Sequence, residues 1–481
     1  MGLVGLVGLV GWRAEVVCGV VVGCSLAGAA MLACSDSSEP SAPTDAGAPE
    51  AEAAAPVDDA GPPGDAPSGD PNGIAARTLS PLPALPSDPT NAVADSPLAA
   101  TFGQMLFFDK SFSGPLAVGD DGGNGGLGAV GEVGKVSCAS CHVGAVLDDR
   151  RSKPGNVSLG TDYGTRRALP LVNSSFYTWS NWGGRFDSQW SLPLAVAENA
   201  KIMNGTRLQI VHAIHAKYKA EYEAVFPALD PRLDPADPGA VAFPASGKPK
   251  AKPSDPDGPW EQMAPADRTI ANTIYANYGK AIAAYLRKLV SRESAFDKYA
   301  AGDKTAISAA ADRGLGIFAG KGQCIACHNG PHLEDGDFHA LGVPQTSPHA
   351  TAPDLGRFTD VPLLLASPFN TNGAFSADVS TGKLTGLAPV DAQRGQFRTK
   401  SLRGVAAAGP YMHAGQLATL EDVVAFYNMG GGDVADSGIV KDPKLNALAL
   451  TAQESADLVE LLKTLTSAPV PDALNTDTSK P

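Results

Sequence analysis

What this chain of 481 residues has little of narrows its chemistry. Only eight residues are histidine, and residues 143–211 contain none. Runs of basic residues and signatures of nucleic-acid-binding folds are missing, which argues against DNA or RNA as a partner. Long alternations of apolar and polar residues, the mark of half-buried strands, are missing too, so the body is expected to be mainly α-helical. Residues 35–97 lack aromatic side chains and are Ala, Pro, Gly, Ser and Asp almost throughout. Such a stretch cannot bury enough apolar surface to offset the entropy of ordering it, and it reads as a disordered linker. Of the seven cysteines, Cys18, Cys24 and Cys34 fall in the first 34 residues and four fall in two short motifs. None remains for a structural disulfide.

The two motifs are Cys138-Ala139-Ser140-Cys141-His142 and Cys324-Ile325-Ala326-Cys327-His328. Each is a C-x-x-C-H run, the attachment signature of a c-type haem. Two thiols three residues apart on one helical turn can each bond a vinyl carbon of the same porphyrin. The histidine that follows then falls beneath the iron as its proximal ligand. A zinc site would need two more close ligands and a thioredoxin pair a β-α-β setting, and neither accompanies the motifs. Two covalently bound haem c groups are therefore expected.

Residues 1–34 are small and apolar and end in Met31-Leu32-Ala33-Cys34. They resemble a bacterial lipoprotein signal, with Cys34 as the acylated residue, although Val21-Val22-Gly23-Cys24 fits the same pattern and an ordinary cleaved signal is an alternative. Export agrees with haem attachment, which takes place outside the cytoplasm. A membrane link through lipid on Cys34, on the periplasmic side of the envelope, is thus expected. The net charge of −14 belongs mostly to the linker. Between residues 35 and 100 there are eleven acidic residues against Arg77 alone, so the body carries only about −4.

Helices are expected over 206–226, 266–291, 304–319, near 419–428 and from 451 to about 465, the last opening on the capping-box sequence Thr451-Ala452-Gln453-Glu454. The Pro-, Asp- and Lys-rich stretch 227–262 is expected to be an inter-domain loop, and 331–400 mostly loop.

Several stretches, LFFDKSFSG (106–114), RRALPLVN (166–173), NWGGRFDS (181–188), CIACHNG (324–330) and the run 399–431, occur together and in order. With the two motifs they make the chain resemble bacterial diheme cytochrome c peroxidases and the related diheme enzyme MauG. The resemblance implies two cytochrome-c-like domains, 98–255 with a peroxidatic haem and 256–470 with an electron-transfer haem, the last helix docking on the first domain. It implies reduction of hydrogen peroxide with electrons from a small cytochrome c or another exported donor protein. On this pattern His142 and His328 are the proximal ligands, Trp182 is a relay between haems, and Arg403 is the partner of a haem propionate. The sixth ligand of the second haem matches Tyr427, with Met412, Met429 and His413 as alternatives. The histidine-free stretch after His142 implies a first iron open on its distal side, and His212 and His215 read as ordinary helix residues.

The chain departs from the pattern at the distal side of the first haem. Leu192 and Ile202 stand where relatives carry a glutamine and a glutamate, the latter the acid/base of peroxide cleavage. Glu198, one helical turn from Ile202, is a substitute candidate. A Ca²⁺ ion is usual between the domains of relatives, but two of its expected positions are Ala168 and Ala408, which leaves backbone and water oxygens to hold it. These departures keep two other readings open: an electron-transfer or ligand-sensing diheme cytochrome without turnover, and MauG-like oxidation of a partner protein.

Overall fold

The computed structural model describes residues 80–122, 126–144, 157–344, 349, 352–434 and 438–481. The expected signal with Cys34, and the linker up to residue 79, lie outside them. The described residues fold mainly into helices: α1 (Pro97–Phe108), α2 (Cys138–Cys141), α3 (Ser191–Glu198), α4 (Arg207–Glu223), α5 (Pro259–Gln262), α6 (Pro265–Leu286), α7 (Ala295–Ala300), α8 (Ala309–Ala319), α9 (Arg357–Leu365), α10 (Leu420–Asn428) and α11 (Ala452–Thr464). Two short strands pair antiparallel, β1 (Phe338–Ala340) with β2 (Gln396–Arg398), with His339 opposite Phe397. Among the described residues, no helix is long and apolar enough to cross a membrane.

Two apolar clusters organise these elements. The first gathers Phe102, Leu106 and Phe107 of α1, Leu194 of α3, Ile210, Val211 and Ile214 of α4, and Tyr275, Tyr278 and Ile282 of α6. The second gathers Phe296 and Tyr299 of α7, Leu315 and Phe318 of α8, Val424 of α10, and Leu458, Leu461 and Leu462 of α11. Each has a helix crossing at van der Waals distance that only glycine permits. A Cβ on Gly103 of α1 would lie 1.9 Å from the Ala281 carbonyl oxygen of α6, and one on Gly314 of α8 would lie 2.1 Å from that of Asp457 on α11. Caps fix the helix starts: Ser96 accepts from the Ala99 amide ahead of α1, and Thr451 and Glu454 form the expected box on α11, at 3.2 and 2.7 Å.

Three boundaries differ from those read in the sequence. Helix α6 lies beyond the 255/256 boundary yet packs in the first cluster against α1, and that cluster also takes in Phe369 and Val470 from later in the chain. The stretch 227–262 is folded onto that cluster by Leu229, Leu233, Phe243 and Trp260, which are buried. Residues 80–96, assigned to the linker, lie against the body. Trp190 donates to Thr90 Oγ1 at 3.0 Å, Asn91 to the Lys280 carbonyl at 3.1 Å, and Arg287 to Asp95 at 2.7 Å. The last helix packs on α8 of the second cluster. It is the segment after it that reaches the first: Gln104 Nε2 donates to the Ala473 carbonyl at 2.8 Å, Tyr285 to that of Leu474, and the Lys480 amide to Tyr218 at 3.1 Å.

Candidate functional site

The first motif is the short helix α2. Ser137 precedes it, its amide donating to Ser140 Oγ at 2.9 Å, and the His142 amide closes the turn on the Cys138 carbonyl at 3.0 Å. Cys138 and Ala139 rest on the first cluster, Cys141 Sγ lies 3.8 Å from the Leu159 carbonyl, and the His142 ring is 6.4 Å from that of Phe107 on α1.

The second motif, a 3-10 turn over Cys324–Ala326, forms part of a cleft enclosing about 1660 Å³ of space, some of it open to solvent. Cys324, Cys327 and His328 line it together with Trp182, Arg398, Arg403, His413 and Tyr427. His328 Nδ1 donates to the Leu333 carbonyl at 3.1 Å, which leaves the Nε2 lone pair able to bind a metal, and burial holds the imidazole below its usual pKa. Burial pushes the Cys138 and Cys324 thiols up to about 12. Such thiols stay protonated and are poor zinc ligands.

Arg398 is the cation that fits an acidic haem edge. It is 3 % exposed, Nη1 donates to Glu334, and Nε and Nη2 have no hydrogen-bond partner. Buried guanidinium donors facing a cleft in this state suit a carboxylate such as a propionate. Arg403, the residue expected in that role, also lines the cleft, but its guanidinium is committed within the protein. It donates to both oxygens of Asp297 at 2.9 and 3.0 Å, to Pro331 at 2.6 Å and to Ser80 at 3.1 Å. Haem fits the cleft, where Arg398 offers the unpartnered guanidinium donors and those of Arg403 are bound within the protein.

Trp182 is buried on the cleft wall. Its Nε1 donates to the Arg167 carbonyl at 3.0 Å, its ring meets that of His413 edge-on at 6.4 Å, and Lys400 Nζ lies 4.6 Å from its centre. Burial, and then Arg398, push Lys400 well below the ordinary lysine range, which favours a neutral amine on the indole face. Sequence reasoning missed Arg398 and Lys400. Their signal was two cations two residues apart at the end of β2, a period that sets both on one face. Of the candidates for the sixth position, Tyr427, Met412 and His413 line the cleft, whereas Met429 is 70 % exposed. Burial raises the Tyr427 phenol far above its usual pKa, and in the same way lowers that of His413 to about 4.

The remaining expected residues are held elsewhere. Glu198 is bound through both oxygens to Arg207, at 3.1 and 3.0 Å, in a cage of Trp260, Tyr275 and Phe369. Ile202 lies over the segment beside the first motif: its carbonyl accepts from Thr161 at 2.9 Å, and a Cβ on Gly160 would meet its Cα at 2.8 Å. His212 Nε2 lies 3.0 and 3.1 Å from the Phe243 and Pro244 carbonyls and so fastens the 227–262 stretch. A Ca²⁺ site does not fit at Ala168 and Ala408. The Ala168 amide donates to Ser158 Oγ at 2.7 Å, and the Ala408 carbonyl accepts from Arg167 Nη1 at 2.6 Å.

Residues 97–305 match the family model for di-haem cytochrome c peroxidase. Over these residues the chain is similar to the di-haem cytochrome c peroxidase/MauG family. Among curated relatives of the family, cytochrome-c peroxidase IdrP1 of Denitromonas iodatirespirans is 46 % identical over 188 residues, 38 % of this chain and 48 % of that protein. The methylamine utilization protein MauG of Methylorubrum extorquens is 35 % identical over 189 residues, 39 % of this chain and 44 % of its own. The chain spans about half the length of the curated relatives it matches. The fold extends further. A MauG-like protein associated with microbial copper homeostasis superposes with a TM-score of 0.54 over 82 % of this chain and 98 % of its own, at 24 % identity. The diheme peroxidase BthA of Burkholderia thailandensis does so with 0.52 over 84 % and 99 %, at 19 % identity.

Proposed function

We propose that the chain is a diheme c-type oxidoreductase that reduces hydrogen peroxide with electrons from an exported donor protein such as a small cytochrome c. The observation that carries this reading is the cleft that Cys324, Cys327 and His328 line together with Trp182 and Tyr427. When bound, haem supplies a redox-active iron through which two electrons and two protons convert peroxide to two waters.

The chain's own residues hold and wire that group. The paired cysteines fix each porphyrin, and His142 and His328 present a nitrogen to it. Arg398 holds an acidic edge in the cleft, and Trp182, gripped through its indole N–H, is the relay toward the iron at His142. Tyr427 would give the second haem an oxygen ligand, and a phenolate there would stabilise oxidised iron. The haem held by Cys324, Cys327 and His328 would receive the donor's electrons, and the one held by Cys138, Cys141 and His142 would be where peroxide is reduced. The setting is the periplasmic side of a bacterial envelope, with the chain tethered through lipid on Cys34.

The deciding experiment mixes the reduced diheme protein with hydrogen peroxide and follows both haem spectra and donor oxidation. Turnover above that of free haem is expected; a rate no better than free haem would sink the enzyme reading. Tyr427→Met should raise the potential of the second haem, and an unchanged potential and spectrum would point to another ligand. Cys34→Ala should release the protein from membranes.

Leu192 and Ile202, with Glu198 locked on Arg207, favour a second reading: a diheme cytochrome that transfers electrons or senses a ligand without turnover. Fast reduction by the donor with no peroxide consumption would select it. Tyr427 alone favours MauG-like oxidation of a partner protein, which would show as peroxide consumption coupled to modification of that partner.

A further inference from the structure

We propose that the guanidinium of Arg167 is a built-in substitute for a divalent cation and the positioning residue of Trp182. Four contacts meet on this one residue, which is 5 % exposed. Nη1 donates to the Ala408 carbonyl at 2.6 Å and to that of Pro410. The Arg167 amide donates to the His413 carbonyl at 2.9 Å, and its own carbonyl accepts from Trp182 Nε1 at 3.0 Å. One residue thus ties the 408–413 turn to the tryptophan that shares the cleft with the second haem motif.

Two backbone carbonyls converging on one buried point need a positive partner. Ca²⁺ would fill that need with six to eight oxygens at about 2.3–2.6 Å. Here the point already holds a fixed cation, and the side chains at Ala168 and Ala408 add no oxygen. Calcium seated beside a guanidinium at about 4 Å would meet repulsion of several kcal/mol for each unit of its charge, even at an effective dielectric near 20. Among the described residues, the groups close enough together to hold a metal are Cys327, Asp335 and His339, none of which contacts Arg167 in the bonds above. The covalent tether of Arg167 therefore does the work of a metal, and unlike a metal it cannot be removed by a chelator. Because the same residue holds the indole N–H, displacement of its backbone moves Trp182 as well.

This inference rests on the diheme reading for the role of Trp182, but not for the ion. The test uses the full holoprotein dialysed against EGTA. Thermal midpoint, both haem spectra and the inter-haem electron-transfer rate are expected to stay unchanged, with no heat of Ca²⁺ binding on back-titration. A drop in the rate that Ca²⁺ restores would overturn the proposal, whether or not the protein turns over peroxide. Arg167→Gln should lower the inter-haem rate by about ten- to a hundredfold, the scale expected of a misplacement near 1 Å. Arg167→Lys, which keeps charge and a donor, should recover most of it. Equal rates in all three forms would overturn the positioning role. Should neither variant fold, the EGTA result on the unaltered protein still decides the matter of the ion.

Discussion

The two haem-binding motifs share one attachment chemistry and differ in their surroundings. CASCH is a helical turn lying on aromatic and aliphatic side chains of the first cluster, with Phe107 facing His142. CIACH borders a cleft into which Arg398, Arg403, Lys400 and His413 are also built. With haem bound, a buried cation such as Arg398 would raise the iron's potential, and the proposed phenolate at Tyr427 would lower it. The second site is thus lined by polar and ionisable side chains, and the first, in its described part, is shaped mainly by packing.

The comparison can be broken most completely by removing one side of it. Cys324→Ala with Cys327→Ala should halve the covalent haem per chain and leave the CASCH chromophore, as read from mass and the haemochrome spectrum. Next in size is Arg403→Ala, which leaves the Asp297 carboxylate buried without its partner; both side chains of the pair are under 10 % exposed. The cost should be about 3–5 kcal/mol in denaturant unfolding, with the second haem's spectrum disturbed first.

Acid should sharpen the contrast. Burial, aided by Arg166 and opposed by Asp354, holds His413 at about 4 against 6.5 in the unfolded chain. The unfolded state takes the proton first, so stability is full above pH 6.5, falls between about 6.5 and 4, and levels off below. The loss is on the order of 3 kcal/mol. Unfolding midpoints measured across that range should show this slope, and His413→Gln should flatten it. The smallest effects divide the two clusters cleanly: Gly103→Ala and Gly314→Ala should each cost about 1–3 kcal/mol by forcing apart one helix crossing. The first should perturb the CASCH spectrum and the second that of CIACH, since α1 carries Phe107 beside His142 and α8 runs into the second motif.

These contrasts explain what the sequence made legible. Helix periodicity and local caps are short-range facts, so α4, α6, α8, α10 and α11 were foreseeable, as was the Thr451–Glu454 box. The haem motifs are equally local. Which arginine keeps unpartnered donors is not: Arg403 is bound to Asp297, 106 residues away, whereas Nε and Nη2 of Arg398 are buried without a partner. The stretch 80–96 looked like more linker because its composition matches the linker. Its anchors, Trp190, Lys280 and Arg287, lie 100 to 192 residues downstream. Glu198 was one turn from a plausible catalytic position, yet a partner nine residues on, Arg207, holds both its oxygens.

The hydrogen bonds that residues 473–480 make to Gln104, Tyr285 and Tyr218 set an order on biosynthesis. The CASCH half, translated first, keeps one flank uncovered until this far stretch has been made and has folded back. The segment that closes onto the first core is thus made only after both cysteine pairs exist.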